Sequence, residues 1–89
     1  MTTKKVKVLL VDDHLIVRNG IRMMIDTADD IEVTGEAASA VEALSIMQQK
    51  SFDIALLDIE LPDSSGLDLL KILRKKYPKL AGSNMKRNA

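Results

Sequence analysis

The chain has 89 residues, no cysteine and equal numbers of acidic and basic residues, 13 of each, so its formal net charge is zero. This length allows one small domain, and the lack of cysteine excludes both a disulfide framework and a thiolate metal site. No apolar run approaches the length of a membrane span, and the first apolar run is too short for the core of a signal peptide.

The charges are unevenly divided along the chain. Residues 1–70 hold 13 acidic and 6 basic residues, whereas residues 71–89 hold 7 basic residues and no acidic one. A basic segment can indicate nucleic-acid binding. Most of these bases, however, fall in the last turns of a predicted helix, where cations stabilise the helix dipole, or on a polar tail. We therefore expect no direct nucleic-acid binding by this stretch of chain.

Strands and helices alternate in the predicted secondary structure. Residues 6–11 are apolar, β-branched and short, which is typical of a buried strand, and a helix follows over residues 14–25. Residues 31–33, extending to 36, alternate as an edge strand does. The first helix should bury Val17, Ile21, Met24 and Ile25.

The second half of the chain repeats this alternation. A capping box over residues 39–42 opens a second helix, residues 52–57 form a third strand, and Ser65 caps a third helix that Pro78 stops. The inner faces of these two helices should be formed by Val41, Leu44 and Met47, and by Leu67, Leu70, Leu73 and Tyr77.

The order β-α-β-α-β-α predicts an α/β fold with a parallel sheet and right-handed crossovers. Residues 1–80 contain all of these elements. Residues 81–89 contain no apolar run, and we interpret them as a C-terminal tail.

Two of the apolar strands end abruptly in carboxylates. Val11 is followed by Asp12 and Asp13, and Leu57 is followed by Asp58. Ligands of a doubly wound sheet bind beyond the carboxyl ends of its strands, so these three acids should meet there. Crowded carboxylates repel one another, and hard oxygen donors of this kind suit Mg²⁺. Asp58 is then a candidate nucleophile for phosphoryl transfer.

The chain resembles a two-component response-regulator receiver domain, the flavodoxin-like (CheY-like) phosphoacceptor module. The matching segments are VLLVDDH at 8–14 and LLDIELPDSSGLDLL at 56–70, with the spacing between them. The run that begins at Val11 is similar to the NarL/FixJ-type subfamily, whose receivers precede a helix-turn-helix DNA-binding domain. The resemblance covers about residues 5–80 and implies a three-layer αβα fold with strand order 2-1-3, in the cytoplasm.

The resemblance also implies roles for individual residues. Asp58 would accept phosphate from a histidine kinase or phosphotransfer protein, Asp13 would bind Mg²⁺ directly, and Asp12 would act largely through water. Glu60 stands where the family uses a backbone carbonyl as a metal ligand. Such a protein is a phosphoacceptor with at most weak self-phosphorylation or dephosphorylation activity, rather than an enzyme.

The resemblance stops short of the family's five strands and five helices. Without a fourth strand, the family's strand-four Ser/Thr has no counterpart, since Ser83 has no strand before it, and the strand-five Lys is also absent. These departures imply impaired phosphorylation. They also leave the outer edge of strand three unpaired, and we expect self-association, such as dimerisation, through that edge.

Two other functions stay open at this point. A non-phosphorylated interaction or dimerisation module would keep the fold and lose the switch. A metal-dependent phosphatase with an aspartate nucleophile usually has Asp-x-Asp on its first strand, whereas this chain has adjacent Asp12 and Asp13. His14, the single histidine, is interpreted as a first-turn helix residue in preference to a metal ligand, and Arg18 and Arg22 as a solvated helix face.

Overall fold

The computed structural model describes residues 5–85, which form one parallel sheet flanked by helices. The strands lie in the order β2-β1-β3-β4, so the predicted order 2-1-3 is confirmed and a fourth strand extends it. The elements are β1 (Val6–Val11), α1 (Leu15–Asp26), β2 (Ile31–Ala37), α2 (Ala40–Gln49), β3 (Ile54–Asp58), α3 (Gly66–Lys76) and β4 (Ala81–Met85).

The central strand β1 is the most deeply buried element. Its residues Val8 to Val11 are all fully buried, which explains their continuous apolar sequence. Leu9 and Val11 pack in one core with side chains of α2 and α3. Val8 and Leu10 alternate with them, point to the other face of the sheet and are fully buried there. Both faces of β1 are thus covered, which fixes its register.

The fourth strand corrects the interpretation of residues 81–89 as a tail. Ala81–Met85 pairs in parallel with Ile54–Asp58, and residues 86–89 lie outside the described part of the chain. An unpaired strand edge presents a row of N–H and C=O groups, and an extended segment can satisfy them whatever its side chains are. The prediction that the outer edge of β3 is exposed is therefore wrong. The prediction that two copies associate through that edge is wrong for the same reason.

The helix boundaries agree with the predictions, and the predicted inner faces are correct in part. Met24, Val41 and Leu67, expected inside, are 74%, 69% and 51% exposed. On α2 and α3 the buried positions are Ala40, Ala43 and Met47, and Gly66, Leu69, Leu70 and Leu73, so the predictions for Met47, Leu70 and Leu73 are confirmed. On α2, Ala40 and Ala43 therefore lie in the core, where Val41 was expected.

Both predicted helix caps are present. The Ser39 hydroxyl accepts from the Glu42 N–H at 3.1 Å, and the Ser65 hydroxyl accepts from the Leu67 N–H at 3.1 Å. The Glu42 carboxylate reaches back to the Ala38 N–H at 3.4 Å. These bonds satisfy N–H groups that a helix leaves unpaired. Within residues 5–85, no helix is long and apolar enough to cross a membrane.

Candidate metal centre

The carboxyl ends of β1 and β3 bring four potential ligand residues together. Val11 pairs with Leu57 in register, so the residues that follow, Asp12 and Asp58, come to the same edge of the sheet. One ligand atom each from Asp12, Asp13, His14 and Asp58 lies within 4.8 Å of all the others. The three acids expected to meet do meet, and His14, expected to be a helix residue, is brought into the cluster as well.

The cluster is electrostatically unfavourable without a cation. Asp12 is fully buried and Asp58 is 2% exposed. Two carboxylates about 5 Å apart repel each other by about 3 kcal/mol at an effective dielectric constant of 20. Because this repulsion opposes folding, the cluster contributes nothing to stability by itself. Its presence indicates a function that uses closely spaced carboxylates, such as binding a cation.

The two oxygens of Asp12 differ in their surroundings. Oδ1 accepts from the His14 N–H at 2.8 Å, whereas Oδ2 is buried and has no hydrogen-bond partner among the described residues. A buried carboxylate oxygen without a partner is costly in a folded protein. Together with an all-carboxylate set of oxygen donors, this orphaned oxygen fits Mg²⁺, which binds few protein ligands and keeps several waters.

Backbone contacts place Asp12 from both sides. Its N–H donates to the Ala37 carbonyl at the end of β2, at 3.0 Å. Its own carbonyl accepts from Nη1 of Arg18 at 2.9 Å. The same guanidinium places Nε 3.4 Å from Oε1 of Glu36, and Arg22 also pairs with Glu36. Arg18 is therefore a largely buried bridge between α1 and β2, not the solvated residue expected from its helical spacing.

Asp58 is oriented by the loop that follows it. Its Oδ1 accepts from the Glu60 N–H at 3.3 Å. The loop closes through a bond from the Gly66 N–H to the Ile59 carbonyl at 2.7 Å, and Glu60 bridges to Ser65. The backbone therefore returns at once to the site before α3 begins. The assignment of the Glu60 carbonyl as a metal ligand stays a prediction.

Gly66 allows this close return of the chain. A Cβ built at Gly66 would overlap the carbonyl oxygen of Asp58. The requirement is space and not backbone conformation, because no glycine among the described residues has a positive φ. Gly66 thus shapes the loop after Asp58 through this close contact.

A carboxylate from the same loop caps a different helix. Asp63 accepts from the N–H groups of Ala40 and Val41, both at 2.9 Å, at the start of α2. The bond from Val41, followed by that from Ala40, lowers the pKa of Asp63 below its ordinary value of 3.8. The loop after the candidate phosphoacceptor is thereby tied to α2. The sequence pattern did not predict this contact, because Asp63 and Val41 are 22 positions apart along the chain.

A cavity lies near the amino-terminal end of β3, away from the clustered acids. It has a volume of about 650 Å³ and is lined by the end of α2, the loop that follows it and the residues just after α3, including Phe52, Asp53 and Tyr77. It contains none of the clustered acids. A metal held by side chains needs no cavity of this size, so the cavity does not decide where the functional site is.

Comparison with known proteins identifies the family to which this chain belongs. Residues 8–82 match the model of the response regulator receiver domain. The chain belongs to the response-regulator receiver family. This receiver domain is 43% identical over 70 residues to a nitrate/nitrite response regulator protein homolog of Haemophilus influenzae, covering 79% of this chain and 34% of that protein. It is 39% identical over 72 residues to the uncharacterized transcriptional regulatory protein YhcZ of Bacillus subtilis, covering 81% and 34%.

A solved structure confirms the fold of this receiver domain. It superposes on the non-phosphorylated receiver domain of the stress response regulator RcsB from Escherichia coli with a TM-score of 0.88 and 23% identity, covering 96% of this chain and 67% of that one. At this identity the match speaks for the flavodoxin-like fold alone. The receiver domain spans about a third of the length of those two curated relatives.

The role of Gly66 can be tested against a second glycine. We expect Gly66→Ala to destabilise the domain by about 3 kcal/mol, because the new methyl group displaces the backbone at Asp58. Gly20→Ala is the matched control: Gly20 lies within α1 with open space around it, and the change should stabilise the domain by about 0.5–1 kcal/mol. Urea unfolding measures both, and equal effects would contradict the close approach at Gly66.

The Asp63 contact predicts a pH-dependent contribution to stability. Because its pKa is lowered in the folded state, the carboxylate stabilises the domain above pH 3.8, and this contribution disappears as the pH falls through the lowered value. Asp63→Asn should therefore lower the urea midpoint near neutral pH, and the difference from wild type should shrink below pH 3.8. Asp29→Asn, at a loop aspartate outside this contact, is the control. A difference that does not change with pH would contradict the assignment.

Proposed function

We propose that this receiver domain accepts a phosphoryl group on Asp58 in a two-component phosphorelay. The donor would be a phosphohistidine of a histidine kinase or of a phosphotransfer protein. Mg²⁺ would be held by Asp12, Asp13 and Asp58, with the backbone carbonyl of Glu60 as a further ligand. The observation that supports this proposal is the convergence of the buried carboxylates of Asp12 and Asp58 at neighbouring strand ends.

The proposed reaction is a displacement at phosphorus. A carboxylate oxygen of Asp58 forms the new O–P bond while the P–N bond to the donor imidazole breaks. The electron pair of that bond returns to the nitrogen, which then takes up a proton. When Mg²⁺ is bound, it neutralises the negative charge that the phosphoryl group brings to the acids.

The residues of the chain position the nucleophile. The Glu60 N–H holds Oδ1 of Asp58, which fixes the rotation of the carboxylate. The placement of Gly66 against the Asp58 backbone limits movement of the strand end. Asp12 is fixed through its carbonyl by Arg18 and through its N–H by Ala37. Because these contacts already hold the side chains in place, the site would need little reorganisation when the phosphoryl donor binds.

The register of β4 supports slow phosphorylation. Asp58 pairs with Met85, whereas Ser83 pairs with Leu56, two residues before the phosphoacceptor. Ser83 is thus not paired with the phosphoacceptor, and we propose that it does not replace the strand-four Ser/Thr of the family. Loss of one preorganised hydrogen-bond donor of this kind costs on the order of 10²–10³ in rate. We propose that the chain is a weak phosphoacceptor for this reason.

The output of the whole protein is proposed from its relatives. The protein of Bacillus subtilis that matches over 72 residues is described as a transcriptional regulatory protein. We propose that the receiver domain likewise regulates transcription as part of a longer DNA-binding protein. Such an output would need residues beyond those that the family model matches.

Chemical phosphorylation tests the role of Asp58. Incubation with acetyl phosphate and Mg²⁺ should add the mass of one phosphoryl group, and hydroxylamine should remove it because an acyl phosphate is labile. Asp58→Asn should abolish the mass shift, while Asp29→Asn, outside the site, should keep it. Intact mass spectrometry makes the measurement. A shift that persists in Asp58→Asn, or none in a wild-type protein that binds Mg²⁺, would contradict the proposal.

A further inference from the structure

His14 directs a ring nitrogen at the two neighbouring acids. Its Nδ1 lies 2.7 Å from Oδ1 of Asp13 and 3.2 Å from Oδ1 of Asp12. The residue is the N-cap of α1, with an extended backbone conformation, and its side chain makes no hydrogen bond to the helix it precedes. The ring is therefore not used as a helix cap, and it lies against carboxylates that the proposed function assigns to a metal.

We propose that His14 is a metal ligand, through Nδ1, and that it gives this site a preference for Zn²⁺ and other late divalent transition ions over Mg²⁺. The inference rests on the proposed function, because it concerns the same carboxylates. It adds a nitrogen donor to a set that the family resemblance makes from oxygen alone. One consequence is that Zn²⁺ and Mg²⁺ would exclude each other at this site.

The observed separations are those of hydrogen bonds or ion pairs between the ring and the acids, and they are also close to the separation of two ligands on one ion. Metal–ligand distances of about 2.0–2.1 Å place neighbouring ligand atoms about 3.0 Å apart in an octahedron and about 3.4 Å apart in a tetrahedron. The nitrogen–oxygen distances of 2.7 and 3.2 Å lie close to these values. An ion shared by His14, Asp12 and Asp13 would then need ligand movements of only a few tenths of an ångström.

The donor chemistry sets the expected selectivity. Imidazole nitrogen is a common ligand of Zn²⁺, Ni²⁺ and Cu²⁺, whereas Mg²⁺ prefers oxygen and retains its waters. A second observation points independently to a cation, namely the buried Oδ2 of Asp12, which has no hydrogen-bond partner among residues 5–85. The cluster therefore has a carboxylate oxygen to be satisfied as well as a nitrogen donor within reach.

The composition of the chain makes the test clean. His14 is the single histidine, and there is no cysteine, so a nitrogen or sulfur side-chain ligand of the usual kinds can come from His14 alone. The variant His14→Asn removes the imidazole and keeps a good N-cap residue, so α1 should still form. Circular dichroism checks that it does.

Calorimetric titration with Zn²⁺ and with Mg²⁺ measures the selectivity. His14→Asn should weaken Zn²⁺ binding by roughly 10- to 100-fold, since a direct ligand matters at least as much as the outer-shell partners for which such losses are typical. Its Mg²⁺ affinity should change far less. Asp13→Asn should weaken both ions, and Asp29→Asn neither. In ¹⁵N spectra of the wild-type protein, Zn²⁺ should cause the large shift of Nδ1 that direct coordination produces, and Mg²⁺, which binds only the neighbouring carboxylates, should cause a smaller one.

Two results would overturn the inference: equal losses for both ions in His14→Asn, or Zn²⁺ binding that leaves the Nδ1 signal unchanged. Either would leave the proposed function intact if Asp58 is still phosphorylated with Mg²⁺. Conversely, selective Zn²⁺ binding through His14 without any phosphorylation of Asp58 would contradict the proposed function and not the ligand assignment.

Discussion

The structure buries two negatively charged carboxylates side by side at the edge of the sheet, where a folded protein usually places apolar or neutral groups. Asp12 and Asp58 are almost fully buried at adjacent strand ends, and their ligand atoms lie within 4.8 Å of each other. Their repulsion opposes folding in the absence of a cation. The apolar strand β1, buried on both faces, offsets this cost and fixes the edge at which the acids stand. The same constraint is the physical basis of the proposed cation site and phosphoacceptor.

The contacts around the acids come from elements that are distant in sequence. Arg18 on α1 holds the Asp12 carbonyl, and Asp63 in the loop after β3 caps α2. Gly66 brings the start of α3 against the backbone of Asp58. Each contact joins the site to a different helix. Addition or removal of charge at the acids would therefore act on three helices.

The sequence predicted the parts of the molecule that depend on local pattern. The apolar run of β1 and the carboxylates after it indicated both the central strand and the site, because parallel strands share their carboxyl edge. Helical periodicity misplaced Met24 and Leu67, since one step along a helix turns a side chain by about 100°. β4 was missed because its pairing depends on the edge of β3 rather than on its own composition. The partners of Arg18 and Asp63 were missed because they are tertiary contacts, which spacing along the chain does not encode.

The most direct test of this account is the thermal stability of Asp12→Asn with and without Mg²⁺. The variant keeps an oxygen that can accept from the His14 N–H and removes one negative charge. Without Mg²⁺ it should be at least as stable as wild type, because the repulsion is relieved. Mg²⁺ should raise the Tm of wild type and have little effect on the variant, since a ligand stabilises the state that binds it. A variant that is less stable without Mg²⁺, together with a wild-type Tm that Mg²⁺ does not change, would contradict the account.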